Sequence, residues 1–186
     1  MKVLLHVCCG PCSIYPFTRL KEEGADVTGY FYNPNIHPYQ EFKRRLSTLE
    51  QFSQNSQLAI HVEKQYGLRE FVQKVAFHED ERCRICYRIR LEKTVAVAKE
   101  RGFDAFSSTL LYSKYQQHSL LSTICRNLSI EYGVKFLYRD FREGWQFGID
   151  KAIELSMYRQ PYCGCIYSEQ ERYDKSFRKA MSKKNP

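Results

Sequence analysis

Apolar positions in this chain fall into two recurring patterns, short unbroken runs and longer stretches spaced three or four apart. "KVLLHV" (2–7) is an unbroken run ending in a cysteine-rich turn, the pattern of a strand buried on both faces. "IYPFTRLKEEG" (14–24) reads as a helix, with Ser13 as its cap, Pro16 in its first turn and Gly24 at its end. "DVTGYFYN" (26–33) predicts a second strand, closed by the turn "NPNIHP". In "YQEFKRRLSTLEQFSQNS" (39–56), Phe42, Leu46, Leu49 and Phe52 recur at helical spacing, and "LAIHVEK" (58–64) predicts a third strand. "LREFVQKVAF" and "RCRICYRIRLEKTVAVAKERG" read as helices, the second ending at Gly102. "FDAFSST" (103–109) predicts a fourth strand, "HSLLSTICRNLSIEYG" a helix, and "VKFLYRDF" (134–141) a fifth strand. The tail reads as helical and basic.

Strand and helix thus alternate about five times, which predicts an α/β fold: a doubly wound, mostly parallel sheet of about five strands with flanking helices. Ligands in such folds sit beyond the carboxyl ends of the strands. "CCGPC" follows the first strand, where that rule places a site. Strand order is not readable from the pattern.

Composition narrows the picture. The 186 residues, 43% of them hydrophobic, suit one globular domain over 1–186 with a real core. The opening "MKVLLHVCCGPC" has too short an apolar run for a signal peptide or a membrane span, which predicts a cytoplasmic protein without membrane attachment. In that compartment the chain's eight cysteines point to metal or redox work rather than structural disulfides. A formal charge of +8 suggests a polyanionic partner, with a solvated basic surface as the ordinary alternative.

The cysteines form four groups: Cys8-Cys9-Gly-Pro-Cys12, Cys83-Arg-Ile-Cys86, Cys125 alone, and Cys163-Gly-Cys165. Two closely spaced pairs far apart in sequence suit a thiolate-held metal, and structural zinc, an iron–sulfur cluster and a dithiol redox centre all fit. The position after a buried strand favours a functional centre. Cys125 lies in a helical pattern with Leu121, Ile124 and Leu128 and reads as a core residue. Cys163 and Cys165 suit completion of the same metal site or a strained, easily reduced disulfide; we read them as a redox pair that stores two electrons.

No GxGxxG follows the first strand and there is no Walker loop, so a nicotinamide or ATP site has no support. His37 in "NPNIHP" is a candidate ligand or substrate contact, against the ordinary reading of a satisfied loop histidine. Arg82, Arg84, Arg88 and Arg90 flank one cysteine group, and Tyr158, Arg159 and Tyr162 another. "LLYSKYQQH" (110–118) adds Tyr112, Lys114, Tyr115 and His118 after the fourth strand. Aromatic faces with interleaved cations suit unpaired bases and phosphates.

Taken together, "HVCCGPCS", "YNPNIHP", "RCRICYRIRL", "LLYSKYQQH", "YRDFREG" and "YRQPYCGCIYS" resemble the epoxyqueuosine reductases that work without cobalamin, the QueH-type family. The resemblance spans nearly the whole chain. It implies the last step of queuosine synthesis in tRNA, in which the epoxide at the wobble position of the anticodon loses its oxygen. It implies a four-iron, four-sulfur (4Fe-4S) cluster on Cys8, Cys9, Cys83 and Cys86, and a redox-active disulfide between Cys163 and Cys165. It also implies a second adjacent iron or other divalent metal, for which Cys12 is the nearest unassigned thiol. His37, Tyr112, Lys114 and Arg159 are the candidate substrate contacts, and the partners are the tRNA anticodon loop and an unidentified electron donor. Two other classes fit parts of the sequence. An ATP-dependent tRNA sulfur or nucleotidyl transferase requires a phosphate loop that the chain lacks. A zinc-stabilised RNA-binding module leaves the Cys163–Cys165 pair unexplained.

Overall fold

The strand order resolves what the hydrophobic pattern leaves open. In the computed structural model, which describes residues 1–178, five strands form one sheet in the order β3-β2-β1-β4-β5, and every pairing is parallel. The strands are β1 (Lys2–His6), β2 (Asp26–Phe31), β3 (Ala59–Val62), β4 (Ala105–Ser108) and β5 (Lys135–Phe136). The central strand is β1, with Leu5 in register with Gly29 on one side and Ser107 on the other. Val3, Leu4 and Leu5 are fully buried, which accounts for the unbroken apolar run.

The chain leaves β1 toward β2 and β3, then crosses back over the sheet to β4 and β5. Right-handed crossovers therefore place α1 (Gly10–Glu22) and α2 (Tyr39–Ser56) on one face. They place α3 (Leu68–Val75), α4 (Arg82–Glu100) and α5 (His118–Tyr132) on the other. Accordingly α1 packs on α2, and α4 on α5. The reversal falls between β1 and β4, so the loops leaving their carboxyl ends flank the natural ligand crevice of such a sheet. Those loops carry Cys8, Cys9 and the turn Thr109–Tyr112.

Three expectations change. The first helix begins at Gly10, not after Ser13; Cys9 takes the extended N-cap position and proline occupies the first turn. Ser13 is interior, its hydroxyl donating to the Cys9 carbonyl at 2.8 Å, and Pro16 also lies inside the helix. The fifth strand shortens from the expected 134–141 to two residues. Past Leu137 the Asp140 carboxylate accepts the Arg142 amide and caps a 3-10 turn at Phe141–Gly144, which turns the backbone off the sheet edge. A further helix, α6 (Trp145–Glu154), packs against α1, one the hydrophobic pattern did not announce. The helical tail is present as α7 (Ile166–Tyr173) and residues 175–178; the rest of the basic tail, 179–186, lies outside the described residues. Among the described residues no helix is long and apolar enough to cross a membrane.

A candidate thiolate metal and redox centre

The first thiol group forms where β1 hands over to α1. The Cys8 amide donates to Thr109 Oγ1 at 3.2 Å, which ties the end of β1 to the end of β4. Cys9 is the N-cap of α1 and Cys12 sits in its first turn. The sulfurs of Cys8, Cys9 and Cys12 all lie within 4.8 Å of one another, and all three residues are buried. The three do not share protons equally. The thiols of Cys12 and Cys9 donate toward Cys8, and with the Arg90 charge and the Thr109 hydroxyl they hold Cys8 well below the usual thiol range. Burial pushes Cys9 up, and the bonds to Cys8 and Cys9 push Cys12 up. Among the three, Cys8 is the sulfur most readily deprotonated, an arrangement suited to a metal that displaces protons. Gln160 Nε2 donates to Cys12 Sγ at 3.1 Å and brings the "YRQPYCGC" segment against this group.

The second thiol group lies at the start of α4. Cys83 is half-buried and Cys86 buried; burial raises both, Cys86 to about 12. Cys86 shares a small apolar cluster with Phe71, Val75 and Cys165. Cys165 is the N-cap of α7, while Cys163 is exposed, with its sulfur 3.3 Å from Gln116 Nε2. The structure thus gathers Cys83, Cys86, Cys163 and Cys165 on one side and Cys8, Cys9 and Cys12 on the other. All are free thiols, and Cys125 is fully buried in the main core. Each group begins a helix, whose N-terminal dipole favours negative charge on the sulfurs.

The Cys163–Cys165 loop is held rigidly. Gly164 has φ +149°, and a Cβ there would lie 3.2 Å from both Arg45 and Asn35, so the position requires glycine. Arg45 is buried; its Nε donates to Glu41 at 2.6 Å, and its two terminal nitrogens donate to the carbonyls of Cys163 and Tyr162, each at 2.8 Å. Glu41 also accepts from the Tyr158 hydroxyl. The His37 amide donates to the Gly164 carbonyl at 2.8 Å, its carbonyl accepts from the Tyr162 hydroxyl, and its Nδ1 accepts from the Ile166 amide at 3.4 Å. Its Nε2 donates to the Pro34 carbonyl at 3.1 Å, and burial lowers its pKa to about 4. With both ring nitrogens engaged, His37 acts as a neutral clamp on the dithiol loop.

A second buried arginine connects the thiol groups. Arg90, one turn after Cys86 on α4, donates to Cys86 Sγ at 3.7 Å, to Asn33 Oδ1 at 2.7 Å and from Nε to His6 Nε2 at 3.3 Å. His6 Nε2 faces both the Arg90 guanidinium and the Tyr32 carbonyl, 3.3 Å from each, and its Nδ1 lies 3.0 Å from Ser108 Oγ. Burial and the Arg90 charge lower the His6 pKa to about 3, so its ring is neutral.

The remaining candidates stand as follows. Tyr112 is buried; its hydroxyl donates to the Trp145 carbonyl at 3.0 Å, its ring lies against Trp145, and it is within electrostatic range of Cys12 and Cys9. Lys114 is exposed over the Trp145 ring, and Arg159 is exposed and within electrostatic range of Tyr112. Of the arginines read as a basic patch, Arg82, Arg84 and Arg88 pair with Glu171, Glu81 and Glu131, and Arg90 is buried. That patch is therefore largely neutralised. Sequence reasoning did not single out Arg45, Glu41, His6, Asn33, Thr109, Gln116 or Gln160. The i, i+4 spacing of Glu41 and Arg45, and of Cys86 and Arg90, was the available signal.

Comparison with known proteins shows the family. The family profile described as "Epoxyqueuosine reductase QueH" matches residues 3–171. A curated relative of that name from Dehalococcoides mccartyi is 40% identical over 94% of this chain and 96% of its own. Relatives of the same name from Streptococcus pyogenes and Thermotoga maritima are 36% and 33% identical, over 89% and 93% of this chain and 69% and 93% of their own. Among solved structures, a predicted subunit of tRNA methyltransferase from Methanocaldococcus jannaschii matches with a TM-score of 0.58, covering 83% of this chain and 75% of that one at 16% identity. That likeness concerns the fold alone.

Proposed function

Because the chain belongs to the epoxyqueuosine reductase QueH family, we propose that it removes the epoxide oxygen of epoxyqueuosine at the wobble position of tRNA, leaving the cyclopentene of queuosine. The enzyme is an oxidoreductase. The observation that carries the reading is the set of free cysteines drawn from three helix starts to the carboxyl end of the sheet.

The reaction consumes two electrons and two protons and releases the oxygen as water. Closing Cys163 and Cys165 to a disulfide yields two electrons and two protons, which balances it. Gln116 and the Arg45 and His37 clamps hold that pair in place. The donor set fits a thiolate-held metal group: buried thiols, one of them shifted down from the usual thiol range, at helix N-termini. Cys8, Cys9, Cys83 and Cys86 would hold a four-iron cluster, and Cys12 is the thiol left for a second metal. Bound there, a cluster of that kind supplies one-electron transfer from an external donor.

The rim suits the unpaired bases of an anticodon loop. Tyr115 is 84% exposed, its ring lies edge-on to Trp145 at 5.7 Å, and Lys114 adds a cation. The next residue, Gln116, touches Cys163, so a base stacked on this platform lies beside the dithiol. Arg159 and Lys114 are the cations proposed for phosphates, while Tyr112 lies against Trp145. Such an enzyme works in the cytoplasm.

The test is an anaerobic assay of metal-loaded enzyme with a chemical reductant and tRNA carrying epoxyqueuosine. Digestion and mass spectrometry should show that nucleoside losing one oxygen, and Cys163→Ser should show no loss. An unchanged nucleoside with the wild-type enzyme contradicts the reading.

A further inference from the structure

The two buried arginines differ in one respect. Arg45 has a carboxylate partner, Glu41. Arg90 has none among the described residues: its hydrogen-bond partners are the neutral His6, the amide of Asn33 and the sulfur of Cys86. Arg90 is 2% exposed and is also within electrostatic range of Cys8 and Cys163. A guanidinium does not lose its proton, and a buried cation without an anion carries a heavy desolvation penalty. The groups around Arg90 that can become anionic are the cysteine sulfurs. Its placement follows from the helix: Cys86 and Arg90 share a face at i, i+4, and the side chain leans toward the helix N-terminus, onto the ends of β1 and β2.

We propose that Arg90 is the built-in counter-cation of the thiolate-held metal group, and that it raises the electron affinity of that group. The proposal rests on the functional reading above and concerns this chain's own residue. Adding an electron to a thiolate-held cluster adds one negative charge, and a fixed positive charge in a low-dielectric surrounding favours that state. The same charge lies within electrostatic range of both thiol groups, through Cys86, Cys8 and Cys163. In the metal-free chain no carboxylate faces it among the described residues, and the sulfurs of Cys86 and Cys8 are its nearest electrostatic partners.

The test compares wild type with Arg90→Gln, Arg90→Met and Arg90→Lys, each metal-free and after anaerobic loading with iron and sulfide. Thermal melting reads the metal-free chains, and a dye-mediated optical titration reads the midpoint potential of the loaded ones. The metal-free variants should still fold cooperatively, which separates the role of the charge from that of a structural prop. Removing the charge should shift the reduction equilibrium of the loaded protein at least tenfold toward the oxidised form, about 59 mV for one electron. Arg90→Lys, which keeps the charge, should stay near the wild-type potential. Wild-type potentials in the Gln and Met variants overturn the proposal, as does failure of both to fold, which makes Arg90 a structural prop. A wild-type protein that takes up no iron and sulfide contradicts the functional reading itself, and the proposal with it.

Discussion

Gly164 shows how much of this site is decided one residue at a time. Its φ of +149° is open to glycine, and the guanidinium of Arg45 fills the space where a side chain would start. Gly164→Ala should therefore cost about 1–3 kcal/mol in urea unfolding and loosen the dithiol loop. Arg45 is the matching case. Arg45→Met leaves Glu41 buried without its cation, at a cost of about 3–5 kcal/mol, and adding Glu41→Gln should recover part of it. Recovery is measurable against a domain stability of about 5–15 kcal/mol. Non-additive denaturation midpoints across the two singles and the double variant are the expected result, and simple addition would argue against a coupled pair.

At the scale of elements, the cysteine loops are joined by clamps that local pattern does not announce. The helix cores were legible because Phe42, Leu49 and Phe52, or Leu121 and Leu128, repeat at helical spacing and face the sheet. The start of α1 was not, because Gly10 and Pro11 read equally as a turn or a first helical turn. The length of β5 depends on pairing with β4 and on the local Asp140–Arg142 bond, neither of which alters the apolar pattern. His37 illustrates the same limit: its role comes from the long-range pairing of its loop with residues 162–166. That pairing predicts a pH dependence. His37 has its pKa lowered from 6.5 to about 4 in the folded chain, so below 6.5 the unfolded chain binds more protons. Its stabilising contribution is present above pH 6.5 and falls as pH drops toward about 4. His6 adds to the same trend, so His37→Gln should remove only part of the slope in melting temperature against pH. An unaltered slope would place His37 outside the coupled network.

For the whole molecule, the basic balance of +8 was legible, but its distribution was not. Acidic neighbours occupy Arg82, Arg84 and Arg88, and burial removes Arg45 and Arg90 from the surface. The exposed cations near the dithiol segment include Arg159 and Lys114, the latter on the Tyr115–Trp145 rim. Lys114→Glu should weaken tRNA binding and lower the salt slope by about one, while Tyr115→Ala should weaken binding roughly 5–100-fold with the slope unchanged. Trp145 is the single tryptophan, so its fluorescence reports both titrations. Binding by Tyr115→Ala as tight as wild type would remove the platform from the interface. The cysteine spacings pointed to metal or redox work without choosing between them, and the fold adds that the two groups flank a buried cation at the switch point of the sheet. The most direct test of that centre is anaerobic purification of wild type and Cys86→Ala with an absorption spectrum and iron and sulfide analysis. The account predicts a broad visible band and about four irons with matching sulfide per wild-type chain, lost in Cys86→Ala. A colourless wild-type protein with about one zinc would contradict it.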